Sequence, residues 1–452
     1  MAGVTFRLMR KTPARLVAGS FATLVIIGTL ILLLPISREG DAHADVITAL
    51  FTATSAVCLT GLTVVDTATY WSHFGQLVIL LLIQLGGLGI MTLTSFAAWV
   101  LVGRIGVRER LNAAAEGRGR ELGEVKGLLV ATLAFTVVVE SAVALVLTLR
   151  FKGLGYSWPA SLWEGIFHSV SAFNNAGFGL RSDNLVAYVG DFGIILPISG
   201  AIILGGLGFP LLLELHRRHE HRAAGIAERR FSLTAVFTIS GTLILLFIGT
   251  VGIAAFEWRG VLSELNMPTK LLASFFQSVT SRTAGFNSIN MGEMHPSSLL
   301  LTDFLMFIGG GSGGTAGGIK ITTVAVLLTV MVAEIRGDDN ILIRGRRIPT
   351  RTVRQALAVT MLAALLVSVS LMIMLLIAPE FDFLDLSFEV VSAFATVGLS
   401  TGITPDLPSI GKLLLVLLMC AGRVGPVSFV AALAARSNKR LYSYPVERPI
   451  IG

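Results

Sequence analysis

Phe167–Leu180 reads FHSVSAFNNAGFGL, and its frame of a phenylalanine, nine residues, then glycine followed by leucine or phenylalanine occurs four times in the chain. The other copies are Phe51–Leu62 (FTATSAVCLTGL), Phe275–Phe286 (FFQSVTSRTAGF) and Phe388–Leu399 (FEVVSAFATVGL). Their glycines are Gly61, Gly177, Gly285 and Gly398, spaced by 116, 108 and 113 residues. A period that regular implies four copies of one structural unit. Three copies carry a serine at the same internal offset, Ser55, Ser171 and Ser392, whereas the third has Val279 there, flanked by Ser278 and Thr280.

Outside these stretches the chain is apolar: 54% of its 452 residues are hydrophobic, 14% are charged, and mean hydropathy is +0.79. That balance marks a polytopic membrane protein and excludes a soluble domain. The first apolar run, near Leu16–Leu34, follows Arg7, Arg10, Lys11 and Arg15. It is too long for a signal peptide and lacks a small-residue cleavage site, so it reads as a retained helix. Cys58 and Cys420 both fall in apolar segments and predict neither a disulfide framework nor a metal site.

Each repeat is expected to be helix, short pore segment, helix. The eight spans are placed at about 16–35, 75–102, 127–149, 190–213, 233–256, 298–335, 355–378 and 410–435. The pore segments, 45–62, 160–178, 268–286 and 382–399, are too short and polar to cross a hydrocarbon core of about 30 Å. The fold class is therefore all-α, with four tandem repeats at residues 1–103, 104–219, 220–340 and 341–452 in pseudo-fourfold symmetry about a central pore.

Charge sets the orientation. The N-terminus, the loops 103–126, 214–232 and 336–354, and the tail from Arg436 hold 25 of the 35 Lys and Arg, against 11 acids when Glu334 at the loop edge is counted, while the opposite side holds 7 basic residues against 16 acids. The basic side is cytoplasmic, so both termini lie inside and all four pore segments enter from outside. The pI near 9.7 thus records topology and does not indicate nucleic-acid binding. Repeats that all begin on one side are parallel, unlike inverted-repeat secondary transporters.

Non-helical backbone at membrane depth persists only where it is buried in protein or lines water. The residues before the four glycines, Leu59 and Thr60, Asn175 and Ala176, Thr283 and Ala284, Thr396 and Val397, share no side-chain chemistry. Their common property is a backbone carbonyl, and carbonyl rings replace the hydration shell of alkali cations. These residues with Gly61, Gly177, Gly285 and Gly398 are the candidate ion ligands. Each glycine could also simply cap a short helix; four caps in register at one axis satisfy both readings.

A second feature is GGGSGGTAGG, residues Gly309, Gly310, Gly311, Ser312, Gly313, Gly314, Thr315, Ala316, Gly317 and Gly318, followed by Lys320. Glycine costs about 1 kcal/mol per residue against alanine in a helix, so this run predicts a loop within the span and not a helix. Gly309, Gly311 and Gly314 fit GxGxxG, but no strand or ribose-binding acid accompanies them, and Ile319 breaks the Walker spacing before Lys320. A glycine packing face explains four-residue spacing but not a contiguous run. The loop and Lys320 are the candidate gate.

Milder glycine clusters at Gly86, Gly87 and Gly89, at Gly205, Gly206 and Gly208, and at Gly422 and Gly425 are expected to pack closely, with bends at Pro210 and Pro426. Arg423, inside the last span, is either a barrier to cations facing the pore or half of a structural pair. Glu140 reads as the sole acid deep in a span and is assigned to Arg423 or Lys320. Asp66, Asp183, Asp382 and Asp385 flank the pore segments and would concentrate cations at the mouth. A membrane enzyme would need clustered acids or histidines within the spans, and a carrier of organic solutes would need a midplane pocket. Neither is indicated.

VSAFNNAGF at 170–178, SRTAGFNSI at 281–289 and GGTAGGIK at 313–320 resemble the potassium-translocating subunits of the Trk/Ktr/HKT superfamily over essentially the whole chain, and the Ktr branch most. The chain begins directly with the first repeat, without a preceding helix pair, which favours Ktr over the longer Trk subunits. The resemblance implies potassium conduction with the glycine run as gate, and Arg423 docked beneath it. A serine at the first filter glycine accompanies sodium permeation in the family, so Gly61 implies potassium selectivity. It further implies K+ as the ion and Na+ as an activator. The partners would be a second copy in a homodimer and an octameric KtrA-type cytosolic ring that carries the nucleotide, in a bacterial inner membrane.

Overall fold

The computed structural model describes residues 13–40, 44–103, 121–223, 230–338 and 340–425. The expected extension of the last span to residue 435, and Pro426, lie outside them.

The described chain is helical. In the first repeat, α1 (Pro13–Leu32) leads to the short α2 (Val46–Cys58) and the long α3 (His73–Gly103); the second has α4 (Glu121–Gly153), the short α5 (Trp158–Phe173) and the pair α6 (Phe192–Leu207) and α7 (Phe209–Ala223). The third has α8 (Leu233–Glu257), the short α9 (Met267–Thr280) and the pair α10 (Pro296–Phe307) and α11 (Ile321–Arg336). A two-stranded hairpin, β1 (Leu342–Ile343) and β2 (Arg346–Arg347), leads into the fourth: α12 (Thr350–Ile377), the short α13 (Phe383–Ala395) and α14 (Ser409–Val424).

Among the described residues, three segments are long and apolar enough to cross a membrane unbroken, Val130–Gly153, Leu233–Glu257 and Thr350–Ile377. They are the first helices of repeats two to four. The α6–α7 pair meets the same test only when taken together, because it bends by 95° at Gly208. Proline was expected to bend this span at Pro210; instead the break is at Gly208 (φ +90), and Pro210 falls in the first turn of α7, where its missing N–H costs nothing.

The short helices start where their sequences supply caps. The Asp45 carboxylate accepts from Ile47 N and Thr48 N, Ser157 Oγ from Ala160 N, and Asn266 Oδ1 from Thr269 N. Proline in the first turn of α5 and α9 presets the backbone for helix. At 13 to 16 residues these helices are about 20–24 Å long, short of a hydrocarbon core.

The repeats associate in a cycle. The helix after each short helix packs against the short helix of the next repeat: α3 on α5, α6 on α9, α10 on α13, and α14 back on α2. Four apolar clusters fill the spaces between them, and the phenylalanines that open the repeated frame, Phe51, Phe167 and Phe388, are completely buried. In the third copy it is Phe276, one residue along, that is fully buried.

Candidate functional site

The four short helices end at the repeated glycines, and the backbone there takes the same shape four times. The residue two before each glycine is left-handed, Leu59 (φ 56), Asn175 (φ 56), Thr283 (φ 72) and Thr396 (φ 51), and each glycine also has positive φ. Leucine and threonine rarely adopt this conformation, at a cost of about 1–2 kcal/mol per residue. The sequence singled out the glycines but gave no sign of this second turn.

Close approaches link the glycines into a closed ring. A methyl group on Gly61 would lie 2.5 Å from Ala176 O, one on Gly177 2.7 Å from Ala284 O, one on Gly285 2.2 Å from Val397 O, and one on Gly398 2.1 Å from Thr60 O. Every glycine thus meets the carbonyl preceding the glycine of the next repeat, and the fourth returns to the first. The carbonyls of the eight residues that precede the glycines accept no hydrogen bond from the described residues, although all eight residues are buried. Buried acceptors are nearly always satisfied, so eight left free around one ring are candidate ligands for a cation. All twelve residues expected as carbonyl ligands are brought together here.

The recurring serines brace this backbone. Ser55 Oγ accepts from Gly61 N at 3.0 Å and donates to Leu62 O at 2.7 Å, Ser171 Oγ donates to Phe178 O at 2.8 Å, and Ser392 Oγ accepts from Gly398 N at 3.0 Å. In the third copy, where valine replaces serine, Gly285 N is held at 3.4 Å by the Thr280 carbonyl. The common offset in the sequence was the visible trace of this bracing.

On one side the ring opens into a cavity of about 240 Å³ lined by Gly61, Gly177, Gly285, Gly398, Asp66, Arg181 and Ser400, among others. Of the four acids expected at the mouth, only Asp66 lines it, accepting from Ala68 N, Thr69 Oγ1 and Ser182 Oγ. Asp183 accepts from Ala187 N, and Asp382 and Asp385 stand at the start of α13, a helix length from the ring. Arg181 was not anticipated. Its guanidinium stacks over Tyr188 (4.8 Å) and Tyr156 (5.5 Å) and donates to the Tyr156 hydroxyl. Burial, then its hydrogen bond with Tyr156, raises the Tyr188 hydroxyl well above its ordinary pKa.

On the other side lies the glycine run. It is a loop, as expected, and it divides the span into α10 and α11. Its ends close on each other through Gly309 N to Ile319 O (2.8 Å) and Ile321 N to Gly310 O (3.1 Å). Gly311 N donates to Gly206 O and Thr315 N to Gly205 O, tying the loop to the end of α6. Gly317 sits directly under the ring: a methyl there would lie 2.0 Å from Thr396 Oγ1 and 2.7 Å from Ala395 O.

Arg423 is 5% exposed and donates to Thr315 O in the loop and to Gly86 O at 3.4 Å. Lys320 donates to Ala316 O and Gly317 O. Neither pairs with Glu140, which instead accepts from Asn174 Nδ2 (3.0 Å) and Gln84 Nε2 (3.3 Å) behind α5. The intramembrane pair assigned from sequence is therefore incorrect: Glu140 lies where amides can satisfy it. Nor is it the sole buried acid. Glu389, fully buried in α13, accepts from Ser400 and Thr404, and Asp303 accepts from Ser387 at 3.0 Å. Both belong to segments the charge count assigned to the outer side. Cys58 and Cys420 are both free cysteines.

Of the milder glycine clusters, Gly86, Gly205 and Gly422 are packing sites, whereas a methyl on Gly425 would meet none of the described residues within 4 Å, so the close packing expected there is not found. A methyl on Gly86 would lie 2.2 Å from Val57 O, on Gly205 1.9 Å from Phe173 O, and on Gly422 1.7 Å from Phe394 O. Each carbonyl belongs to the residue four before a ring glycine, so three repeats make the same contact.

The chain matches the TrkH cation transport protein family over residues 11–440. It belongs to the TrkH/Ktr family of cation transport proteins. It is 40% identical to "Ktr system potassium uptake protein B" of Bacillus subtilis (strain 168) over 439 residues, 97% of this chain and 96% of that one. It is 37% identical to "Potassium/sodium uptake protein NtpJ" of Enterococcus hirae over 98% of each chain. The crystal structure of the potassium transporter TrkH from Vibrio parahaemolyticus superposes with a TM-score of 0.74 at 20% identity, covering 94% of this chain and 86% of that one. The TrkH/Ktr chain described here is thus a helical, polytopic membrane protein, and its relatives are transporters and not enzymes.

Proposed function

We propose that the protein is a channel-like subunit for potassium uptake, in which the glycine ring is the selectivity filter and the glycine loop the gate. The observation that carries this reading is the closed ring of buried, unpartnered carbonyls. Four short helices direct their C-terminal ends at it, each equivalent to about −0.5 elementary charge, so the ring is a site for a dehydrated cation. Potassium is favoured by the likeness to the Bacillus potassium uptake protein, and sodium enters as a second ion through the Enterococcus potassium/sodium uptake protein.

In this account eight spans and four re-entrant segments make the repeats 1–103, 104–219, 220–340 and 341–452, with both termini and the basic loops cytoplasmic and the cavity above the ring facing outward. The loop under the ring, held by Arg423, blocks the path; conduction requires its withdrawal. A homodimer on a KtrA-type cytosolic nucleotide-binding ring would supply that force. The membrane potential drives entry, at about 2.3 kcal/mol per charge per 100 mV.

The test is ⁸⁶Rb and ²²Na uptake into proteoliposomes under a negative-inside potential, comparing the wild type with Gly285→Ser. Rubidium-selective uptake lost in the variant is expected. Sodium and rubidium uptake at equal rates, indifferent to the substitution, would refute the filter. If the wild type alone is silent, adding the cytosolic ring decides whether a partner was missing.

A further inference from the structure

A cavity of about 410 Å³ lies between the end of α7, the start of α8 and the β1–β2 hairpin, lined by Arg218, Arg230, Phe231, Leu233, Arg344 and Arg346. Four of its six described lining residues are arginines, and none of the six carries a carboxylate. Of the two acids on α7, Glu214 is committed to the α8 cap, accepting from Ser232 N at 2.8 Å and Ser232 Oγ at 2.6 Å, and Glu220 lies 3.3 Å from His216 Nε2. The arginines are also held in place. Arg218 stacks 3.7 Å over the Phe231 ring, and Arg346 donates to Phe231 O at 2.9 Å.

Arg344 occupies the first position of the two-residue hairpin turn with φ 48, followed by Gly345 with φ 75. Both central residues of such a turn need positive φ, which asparagine or glycine supplies with little strain. An arginine there costs conformational energy, and such strain is retained where the side chain is used.

Depth indicates what the cavity holds. On the orientation proposed above, Arg230 and Phe231 immediately precede a membrane-spanning helix at its cytoplasmic end. Arginines beside apolar Phe231 and Leu233 at that level suit a ligand with a phosphate head and an acyl tail, since basic pockets at the cytoplasmic ends of spans recognise anionic headgroups. We propose that this cavity binds the phosphate headgroup of an anionic phospholipid of the inner leaflet.

The site is mechanically connected to the glycine loop. Arg218 lies on α7, whose first residue donates from Phe209 N to Gly313 O at 3.4 Å. The hairpin bearing Arg344 and Arg346 follows α11, the helix into which the loop runs. A headgroup bridging these arginines ties together the two elements that flank the loop.

The test is native mass spectrometry of the full-length protein in detergent, with phosphatidylglycerol, phosphatidylcholine or inorganic phosphate added. It needs no transport, so it succeeds or fails independently of the conduction proposal. Wild-type protein should retain phosphatidylglycerol in preference to phosphatidylcholine. The double variant Arg344→Gln/Arg346→Gln should lose about tenfold or more of that retention, and Arg344→Lys/Arg346→Lys should recover most of it. An unchanged melting temperature would show that the exposed hairpin changes leave the fold intact; if the double glutamine variant melts early, Arg344→Gln alone, which leaves the Arg346 hydrogen bond to Phe231 O in place, carries the same comparison. Equal retention of the two lipids by wild type, or of phosphatidylglycerol by wild type and glutamine variant, would overturn the proposal. So would inorganic phosphate binding that excludes the lipid, which would assign the cavity to a soluble phosphate.

Discussion

The two sides of the ring obey different symmetries. At the ring the four repeats are nearly interchangeable, with one left-handed turn, one glycine and one carbonyl contact each. Below it every repeat differs: the first keeps a continuous helix past Gly86, the second breaks at Gly208, the third opens into the Gly309–Gly318 loop, and the fourth carries Arg423. A cation site needs equivalent ligands on all sides, whereas a gate needs one element that can move and others that hold it. On the proposed function, symmetry is kept where the ion would be dehydrated and lost where passage would be controlled.

Substitutions in the symmetric part should have the largest effects. Gly398→Ala places a methyl 2.1 Å from Thr60 O at φ +96, and neither backbone can yield without displacing the ring. We expect ⁸⁶Rb uptake to fall by about 100-fold, the consequence of roughly 3 kcal/mol of distortion at the barrier. Gly61→Ala and Gly177→Ala should be of similar severity in the same assay; a variant that conducted normally would break the equivalence of the repeats.

Removing a restraint on the asymmetric side should act in the opposite direction. Arg423→Gln deletes both a contact to the loop carbonyl of Thr315 and a positive charge on the path. A charge about 10 Å from the ion at an effective dielectric near 20 raises its energy by about 1.7 kcal/mol, so uptake should rise by about tenfold. Single-channel or flux recordings without any cytosolic partner would reveal it, and a decrease would mean that Arg423 supports the pore instead of closing it.

Smaller effects should separate packing from selectivity. Gly205→Ala forces a methyl to within 1.9 Å of Phe173 O and should cost about 1–3 kcal/mol of stability, read as a lower melting temperature with the rubidium preference intact. Ser171→Ala removes one hydrogen bond to Phe178 O, worth about 1 kcal/mol, and should lower the rubidium-to-sodium ratio by about fivefold.

Much of this comparison was legible in the sequence, for identifiable reasons. Glycine ten residues after a phenylalanine, four times over, marked the ring, because no other residue tolerates that approach of two backbones. Seven glycines within the ten residues 309–318 marked the loop, because no helix survives them. Side-chain partners were less legible. Glu140 was matched to a cation on charge alone, yet Gln84 and Asn174, which lie far from it in sequence, satisfy it. Arg181 escaped notice because Tyr156 and Tyr188, which hold it, meet only in the fold. The bend at Gly208 was read as a proline effect since helix-breaking by glycine depends on what packs against it, here Ser312 O of the loop.

The most direct test is anomalous scattering from crystals of the protein grown with rubidium or thallium. The account predicts a peak on the axis of the ring, between the carbonyls of Thr60, Ala176, Ala284 and Val397, that potassium displaces and equimolar sodium does not. A ring without a peak, with the cation bound instead at Asp66 or Glu389, would contradict it.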